Sequence, residues 1–509
     1  MLAWRMGLRF GKPALALCFA VAMMAGGAAT AQTATRADAG GVLDAEKVPG
    51  TLIGIQYEHW FFGPESWKMT EAIPLMGKYT TDEPTVAKHY AQFHDLGIDW
   101  LLIDWSNMLW TNEAWNAQDE WNPQAGSTGQ LVDKTAVLFK TALDLHRQGK
   151  YAPKLVFLLG LQNGPPVAHK MERFNRILAW LKTNYLDKPE YKDLWLYYGG
   201  KPLVTILYVP PDPCTQLPQD LAGSQLHGED WTIRWMGVEL QRTHGERCGM
   251  WSWMDGVIPQ VLTKIDGKAE EMVVTPSAFV LPGNGWKAPT AIARDHGVPY
   301  VESWKAALAA QPKFLQVHQW NEFAGQEEGK GYAESYWDPA AVAAAEKGKS
   351  DIYYDEYDVQ RSDDIEPTEL HGCGYRGCGG WGYYYYNLTR AMISLYRGKT
   401  PEITVLALSG PEGKVEASAK TVDLHWAWAG KAPQSFSIKL DGTEVASGLQ
   451  GTSYRLNLSG VAGTHRVVLR AAGVSTRFSL DAARPAEESA TPLPVEAEVS
   501  FETVAGAAN

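Results

Sequence analysis

The chain has 509 residues, with 46 Lys and Arg against 58 Asp and Glu, a net charge of −12, and 45% hydrophobic residues. Such a composition belongs to a globular protein with a sizeable core and excludes a disordered chain. The acidic balance makes nucleic acid, itself a polyanion, a poor partner.

The start reads as an export signal. Arg5, Arg9 and Lys12 give a basic start, an apolar run follows from Ala14 to Met24, and Ala29-Thr30-Ala31 is a small-residue cleavage site. A signal peptide over residues 1–31, a linker over 32–49 and a secreted or periplasmic mature protein are expected. The apolar run is too short for a membrane span and no later stretch reaches the necessary length, so no span is expected once the signal is removed. Cys18 lies in the signal, which leaves Cys214, Cys248, Cys373 and Cys378, an even number suited to an oxidising compartment. The expected disulfides are Cys373 with Cys378 and Cys214 with Cys248. A metal site is the weaker reading, because no His has matching spacing, and neither metal nor cofactor is expected.

From Thr51 onward, short apolar runs alternate with longer amphipathic ones, the pattern of repeated β-α units. Strands are expected at 52–57, 100–104, 154–159, 203–208, 232–238, 272–279 and 314–320, with an eighth near 298–301 or after Gly329. Helices are expected at 85–96, opened by Asp82-Glu83-Pro84 and stopped by Gly97, at 133–148 ended by Gly149, and at 170–185. No Gly-rich dinucleotide loop follows the first strand, so a TIM-type (β/α)8 barrel over 50–400 fits better than a doubly wound sheet. Residues 329–381 form a long acidic, glycine-rich insertion whose internal disulfide favours order. A closing helix follows at 383–397, with Leu388, Met392 and Leu395 on one face.

After Thr400 the pattern changes to short alternating segments, and Asp441-Gly442 is a hairpin signal. A small immunoglobulin- or fibronectin-like β-sandwich is expected over 401–482, followed by a flexible tail over 483–509. Trp426 and Trp428 alternate with Ala and so share one face, which reads as core.

In a barrel of parallel strands the carboxyl ends carry the chemistry. Here those ends hold Tyr57-Glu58-His59-Trp60, Asp104-Trp105-Ser106-Asn107, Gln162, Tyr208, Trp253 with Asp255, and His318-Gln-Trp320-Asn321-Glu322. Their recurrence points to a shared site, and these residues other than Asp104, Ser106, Gln319 and Glu322 are the candidate substrate contacts. Paired carboxyls suit glycosidic cleavage, in which one protonates the leaving oxygen and the other acts as base or nucleophile. Glu322, Glu327 and Asp104 form the candidate catalytic set, with Glu58, Glu328 and Asp255 as further choices for the second carboxyl. Trp60, Trp105, Trp253 and Trp320 are expected as stacking platforms for sugar rings. The partner is therefore a carbohydrate.

Residues 54–107, with Met76-Gly-Lys-Tyr79 and the run from Gly97 to Asn107, together with His318-Gln-Trp-Asn-Glu-Phe323 and Asp364-Ile-Glu-Pro367, resemble the glycoside hydrolase family 99-like group. That group includes endo-α-mannosidases and is related to the family 71 α-1,3-glucanases. The resemblance covers roughly residues 50–397 and implies a retaining hydrolase of poly- or oligosaccharides that works through a 1,2-anhydro sugar. In the family motif Asn-Glu-Trp-His-Glu-Gly the first Glu is the base and the second the acid. Asn321 and Glu322 match its first half, whereas the second Glu falls on Gly325. A divergent bacterial member is implied, with its acid supplied by Glu327, Glu328 or another strand. The alternative is a non-catalytic carbohydrate-binding protein on a barrel that has lost its acid.

Overall fold

The computed structural model describes residues 41–67, 70, 72–106, 126–160, 170–207, 226–238, 250–278, 292–322, 359–360, 362–373, 378–400, 402–411, 413–416, 418–458 and 463–504. Eight parallel strands form its first part: β1 (Leu52–Tyr57), β2 (Trp100–Trp105), β3 (Lys154–Gly160), β4 (Lys201–Leu207), β5 (Thr232–Val238), β6 (Trp251–Met254), β7 (Lys268–Val274) and β8 (Phe314–Val317). Neighbours follow the order β6-β5-β4-β3-β2-β1-β8-β7. Between the outermost two, β6 and β7, no backbone ladder is present among the described residues. Side chains bridge them instead: Ser252 N–H donates to Glu271 Oε2 at 2.9 Å and Trp251 Nε1 donates to Glu270 Oε1 at 2.8 Å.

Strands covered on both faces read as nearly continuous apolar runs, as β1 to β3 do. The period of two still separates their faces. Leu52, Trp100, Leu102, Val156, Leu158, Leu203 and Phe314 pack together on the inner face, while Ile53, Ile55, Tyr57, Leu101, Ile103 and Trp105 pack toward the helices. Gly54 is required on the inner face, because a Cβ there would lie 2.1 Å from the Trp100 ring.

The helices cover the other face. In α1 (Glu83–Leu96), Asp82 caps the first turn through the Thr85 N–H at 2.9 Å, and Gly97 ends it at φ 89°. Next come α2 (Gly126–Arg147), α3 (Lys170–Leu181), α4 (Val298–Ala310) and α5 (Tyr384–Tyr396). Asp99 ties three elements together: it accepts the Ile53 N–H of β1 at 2.8 Å and pairs with Arg397, just past α5, at 2.8 Å. No helix among the described residues is long and apolar enough to cross a membrane.

The second part is a pair of sheets. One has β9 (Thr404–Ser409), β11 (Thr421–Gly430) and β14 (Ser453–Asn457); the other has β10 (Lys414–Glu416), β12 (Ser435–Leu440), β13 (Thr443–Leu449), β15 (Gly463–Thr476) and β16 (Leu493–Val504). Their facing sides share a core around Leu408, Trp426, Phe436, Leu469, Val499 and Phe501.

Three expectations are corrected. Residues 298–301 open helix α4, and the eighth strand is β6, a four-residue segment whose Trp-Ser-Trp-Met sequence is too short to show a period. The strand expected to reach Trp320 ends at Val317. The tail expected from 483 instead carries β16, twelve residues paired along β15, because its alternating Val495, Val499 and Phe501 complete the sandwich core.

Candidate active site

Continuing the inner-face parity past the apolar residues brings Gln56, Glu58, Asp104, Gln316 and His318 to the carboxyl ends of β1, β2 and β8. All five are buried. The Gln56 amide organises them. Its Nε2 donates to Glu58 Oε1 at 3.0 Å and Asp104 Oδ2 at 3.1 Å, while its Oε1 meets His318 Nδ1 at 3.0 Å and accepts from Gln316 Nε2 at 3.3 Å. Ser106 N–H donates to Asp104 Oδ1 at 2.7 Å. On its other side, His318 Nε2 lies 2.9 Å from Asp363 Oδ2, without the geometry of a hydrogen bond.

Burial and like charge decide the protonation. Glu58 is pushed well above the usual carboxylate range, first by burial and then by the Asp104 and Glu322 charges, against the Gln56 hydrogen bond. Asp104 is also raised by burial, but the Ser106 hydrogen bonds and the nearby Glu58 carboxyl work against the shift. Glu58 is therefore the more readily protonated of the two. Among the described residues, Glu58 Oε2 has no hydrogen-bond partner of good geometry.

Glu322, half-buried, follows directly on Asn321, whose amide clamps the main chain of Glu58: Oδ1 accepts the Glu58 N–H at 2.9 Å and Nδ2 donates to the Glu58 carbonyl at 3.0 Å. Gln319 Nε2 donates to Glu322 Oε2 and to Asp363 Oδ1. The Glu322 N–H donates to Asp364 Oδ1. Asp364 is raised well above the usual range by burial and by the Asp363 charge.

Of the residues expected from sequence, Glu58, Asp104, His318, Asn321 and Glu322 gather here, and the Trp253 ring packs edge-on against His318 at 4.6 Å. Others face away. Tyr57 bonds to His89 Nδ1 at 2.9 Å in the helix layer, and His59 bonds to Thr135 at 2.9 Å there, where burial lowers its pKa to about 3. Trp60, Trp105 and Trp320 are core residues rather than stacking platforms: each is buried in the apolar cluster between strands and helices, Trp105 against Phe157 and Trp320 against Phe93. Asp255 is buried in its own turn, with Ser252 and Gln260. Asn107, Gln162, Tyr208, Gly325, Glu327, Glu328, Cys214 and Cys248 lie outside the described residues. The Cys373–Cys378 disulfide is present.

Sequence reading did not assign Gln56, Gln316, Gln319, Asp363, Asp364, Glu366, Tyr79 or His89. The available signals were a Gln of the same parity as Glu58 inside an apolar strand and a His on the apolar stripe of α1. Cavities of about 660 Å³ beside Arg234 and Lys313 and about 720 Å³ beside Arg294 and Leu406 contain none of the clustered carboxyls.

No family model matches the chain, and no curated protein matches it. Among solved structures, the GH99 endo-alpha-mannosidase from Bacteroides thetaiotaomicron is similar over 68% of this chain and 99% of its own, at 16% identity and a TM-score of 0.41. The endo-beta-1,4-mannanase from Thermotoga petrophila is similar over 91% of this chain and 99% of its own, at 10% identity and a TM-score of 0.34. Fibronectin(III)-like modules of Clostridium thermocellum CbhA are similar over 19% of this chain and 98% of their own, at 14% identity and a TM-score of 0.13. Scores this low establish no shared fold, so the chemistry has to be read from the chain's own side chains.

Proposed function

We propose that the protein is a secreted or periplasmic glycoside hydrolase acting on a poly- or oligosaccharide. One observation carries this reading: a buried carboxyl pushed toward its protonated form, Glu58, whose main chain is bonded to Asn321, the residue before the half-buried Glu322 on the adjacent strand end. Glu322 meets the sugar as nucleophile or as base on a neighbouring hydroxyl. Glu58 supplies the proton to the leaving oxygen, and Asp104 takes part in holding that proton. Because Glu58 is fully buried, delivery requires its side chain to turn toward the bound sugar. The Asn321 clamp keeps the two carboxyls close, which favours the short spacing of retaining enzymes.

The test uses a glycan panel to find the substrate, then the matching dinitrophenyl glycoside, whose leaving group needs no proton. Glu322→Gln should lose roughly 10²–10⁴-fold on both substrates. Glu58→Gln should lose as much on the glycan and little on the activated glycoside; equal losses on both would remove Glu58 as the acid. The anomer released, read by proton NMR, reports retention or inversion. The complete burial of Glu58 favours a second reading, a non-catalytic carbohydrate-binding protein on the same strands. Wild-type protein that binds several glycans and cleaves none decides for it.

A further inference from the structure

Residues 362–368, Ser-Asp-Asp-Ile-Glu-Pro-Thr, lie along the extension of β8 past its last strand residue. Gln319 N–H donates to the Asp363 carbonyl at 3.0 Å, Ile365 N–H to the Gln319 carbonyl at 3.0 Å, and Glu366 N–H to the Trp320 carbonyl at 2.9 Å. Arg294, set against the Trp381 and Tyr385 rings at 3.9 and 3.8 Å, donates Nη2 to the Asp364 carbonyl from behind. This strap carries three carboxyls, and all three are buried. Burying three carboxyls in one short segment is costly unless each is engaged.

Each is engaged with a different part of the site. Asp363 faces His318 and Gln319. Asp364 accepts the Glu322 N–H and the Ser362 hydroxyl, the latter at 2.8 Å. Glu366 accepts the Tyr79 hydroxyl at 2.7 Å and meets His89 Nε2 at 3.3 Å, and His89 is held in turn by Tyr57. With its one proton given to Glu366, Tyr79 Oη accepts from Asn321 Nδ2 at 3.0 Å. The second Nδ2 hydrogen goes to the Glu58 carbonyl, so both donors of that amide are committed and its orientation is fixed.

We infer that Asp364 and Glu366 are positioning residues, one holding the main chain of Glu322 and the other, through Tyr79 and Asn321, the main chain of Glu58. One rigid strap thereby sets the separation of the two carboxyls that react. Its placement at both ends depends on side chains that touch no sugar. The inference rests on the reading of Glu58 and Glu322 as the reacting pair.

Three variants test it. Asp364→Ala removes the acceptor of the Glu322 N–H, Asp364→Asn retains one, and Tyr79→Phe removes a single oxygen and leaves the fold's packing in place. The first readout needs no substrate: carbon-13 NMR titration of the Glu58 carboxyl. When the strap is loosened, Glu322 drifts from Glu58 and its charge acts less, so Glu58 should titrate at lower pH in Asp364→Ala and Tyr79→Phe than in wild type or Asp364→Asn. The second readout is turnover, with kcat falling about 10- to 100-fold in the same two variants while KM stays within about twofold. A Glu58 titration unmoved in Tyr79→Phe, or Asp364→Asn as impaired as Asp364→Ala, overturns the inference. Wild-type protein inactive on every glycan overturns the hydrolase reading instead, and the titration still decides the strap.

Discussion

Glu58 sits beside Asp104 and Glu322, and three carboxyls this close cannot all ionise away from water. Burial contributes most to the raised Glu58 pKa, and the Asp104 charge comes next. Asp104→Asn keeps one acceptor oxygen, enough for the Ser106 N–H but not also for Gln56 Nε2, and removes that charge, so the Glu58 pKa should fall. An acid has to be protonated to act, and the alkaline limb of the kcat/KM profile should therefore move to lower pH, which a pH series on the identified substrate measures. Stability follows the same sign. A carboxyl whose folded pKa lies above its unfolded value contributes stability that is complete below the ordinary carboxylate range and lost as pH rises through the raised value. Glu58→Gln should remove that alkaline loss in urea melts run across pH.

At the scale of elements, the site exists because β1, β2 and β8 lie side by side with matched parity. Asp99 is central to that arrangement, since it joins β1, the start of β2 and the end of α5. Its partner Arg397 has a side chain only 9% exposed. Removing one partner of a buried pair leaves the other charge uncompensated. Asp99→Ala should cost about 3–5 kcal/mol, read from urea denaturation, and a loss under about 1 kcal/mol would show that water reaches Arg397 readily. The apolar parity of β1 was legible in Leu52, Ile53 and Ile55. Its register with β8 was not, because pairing depends on partners 260 residues away in the chain, as between Gln316 and Gln56.

Across the whole molecule, the two-sheet part packs against the helices that cover the strand array. Ile403, Val405, Ala427, Ala429, Phe478 and Ala486 belong to the same apolar cluster as the helices, and Asn387 of α5 bonds to the main chain of Asp481 and Arg484 at 2.7 and 2.9 Å. Lys305 of α4 lies over the half-buried Trp428 ring at 4.4 Å, a further contact between the two parts. Ending the chain at residue 487 removes β16 and uncovers Val495, Val499 and Phe501's partners in the core. That truncation should lower the melting temperature of the whole protein and not of a separate transition; two resolved transitions in calorimetry would show that the parts fold independently.

The sequence by itself determined the local patterns: the apolar strands with their period of two, the Asp82 cap and Gly97 stop of α1, the hairpin at Asp441-Gly442, and Asn321-Glu322 as polar groups at a strand end. These depend on neighbours a few residues away, where backbone sterics and side-chain parity act. Only the tertiary structure decided which aromatic rings are core, as Trp60, Trp105 and Trp320 are, and which carboxyl keeps its proton. Both questions turn on desolvation and on charges contributed by distant segments, β1, β2, β8 and the 362–368 strap. No window of sequence contains them together.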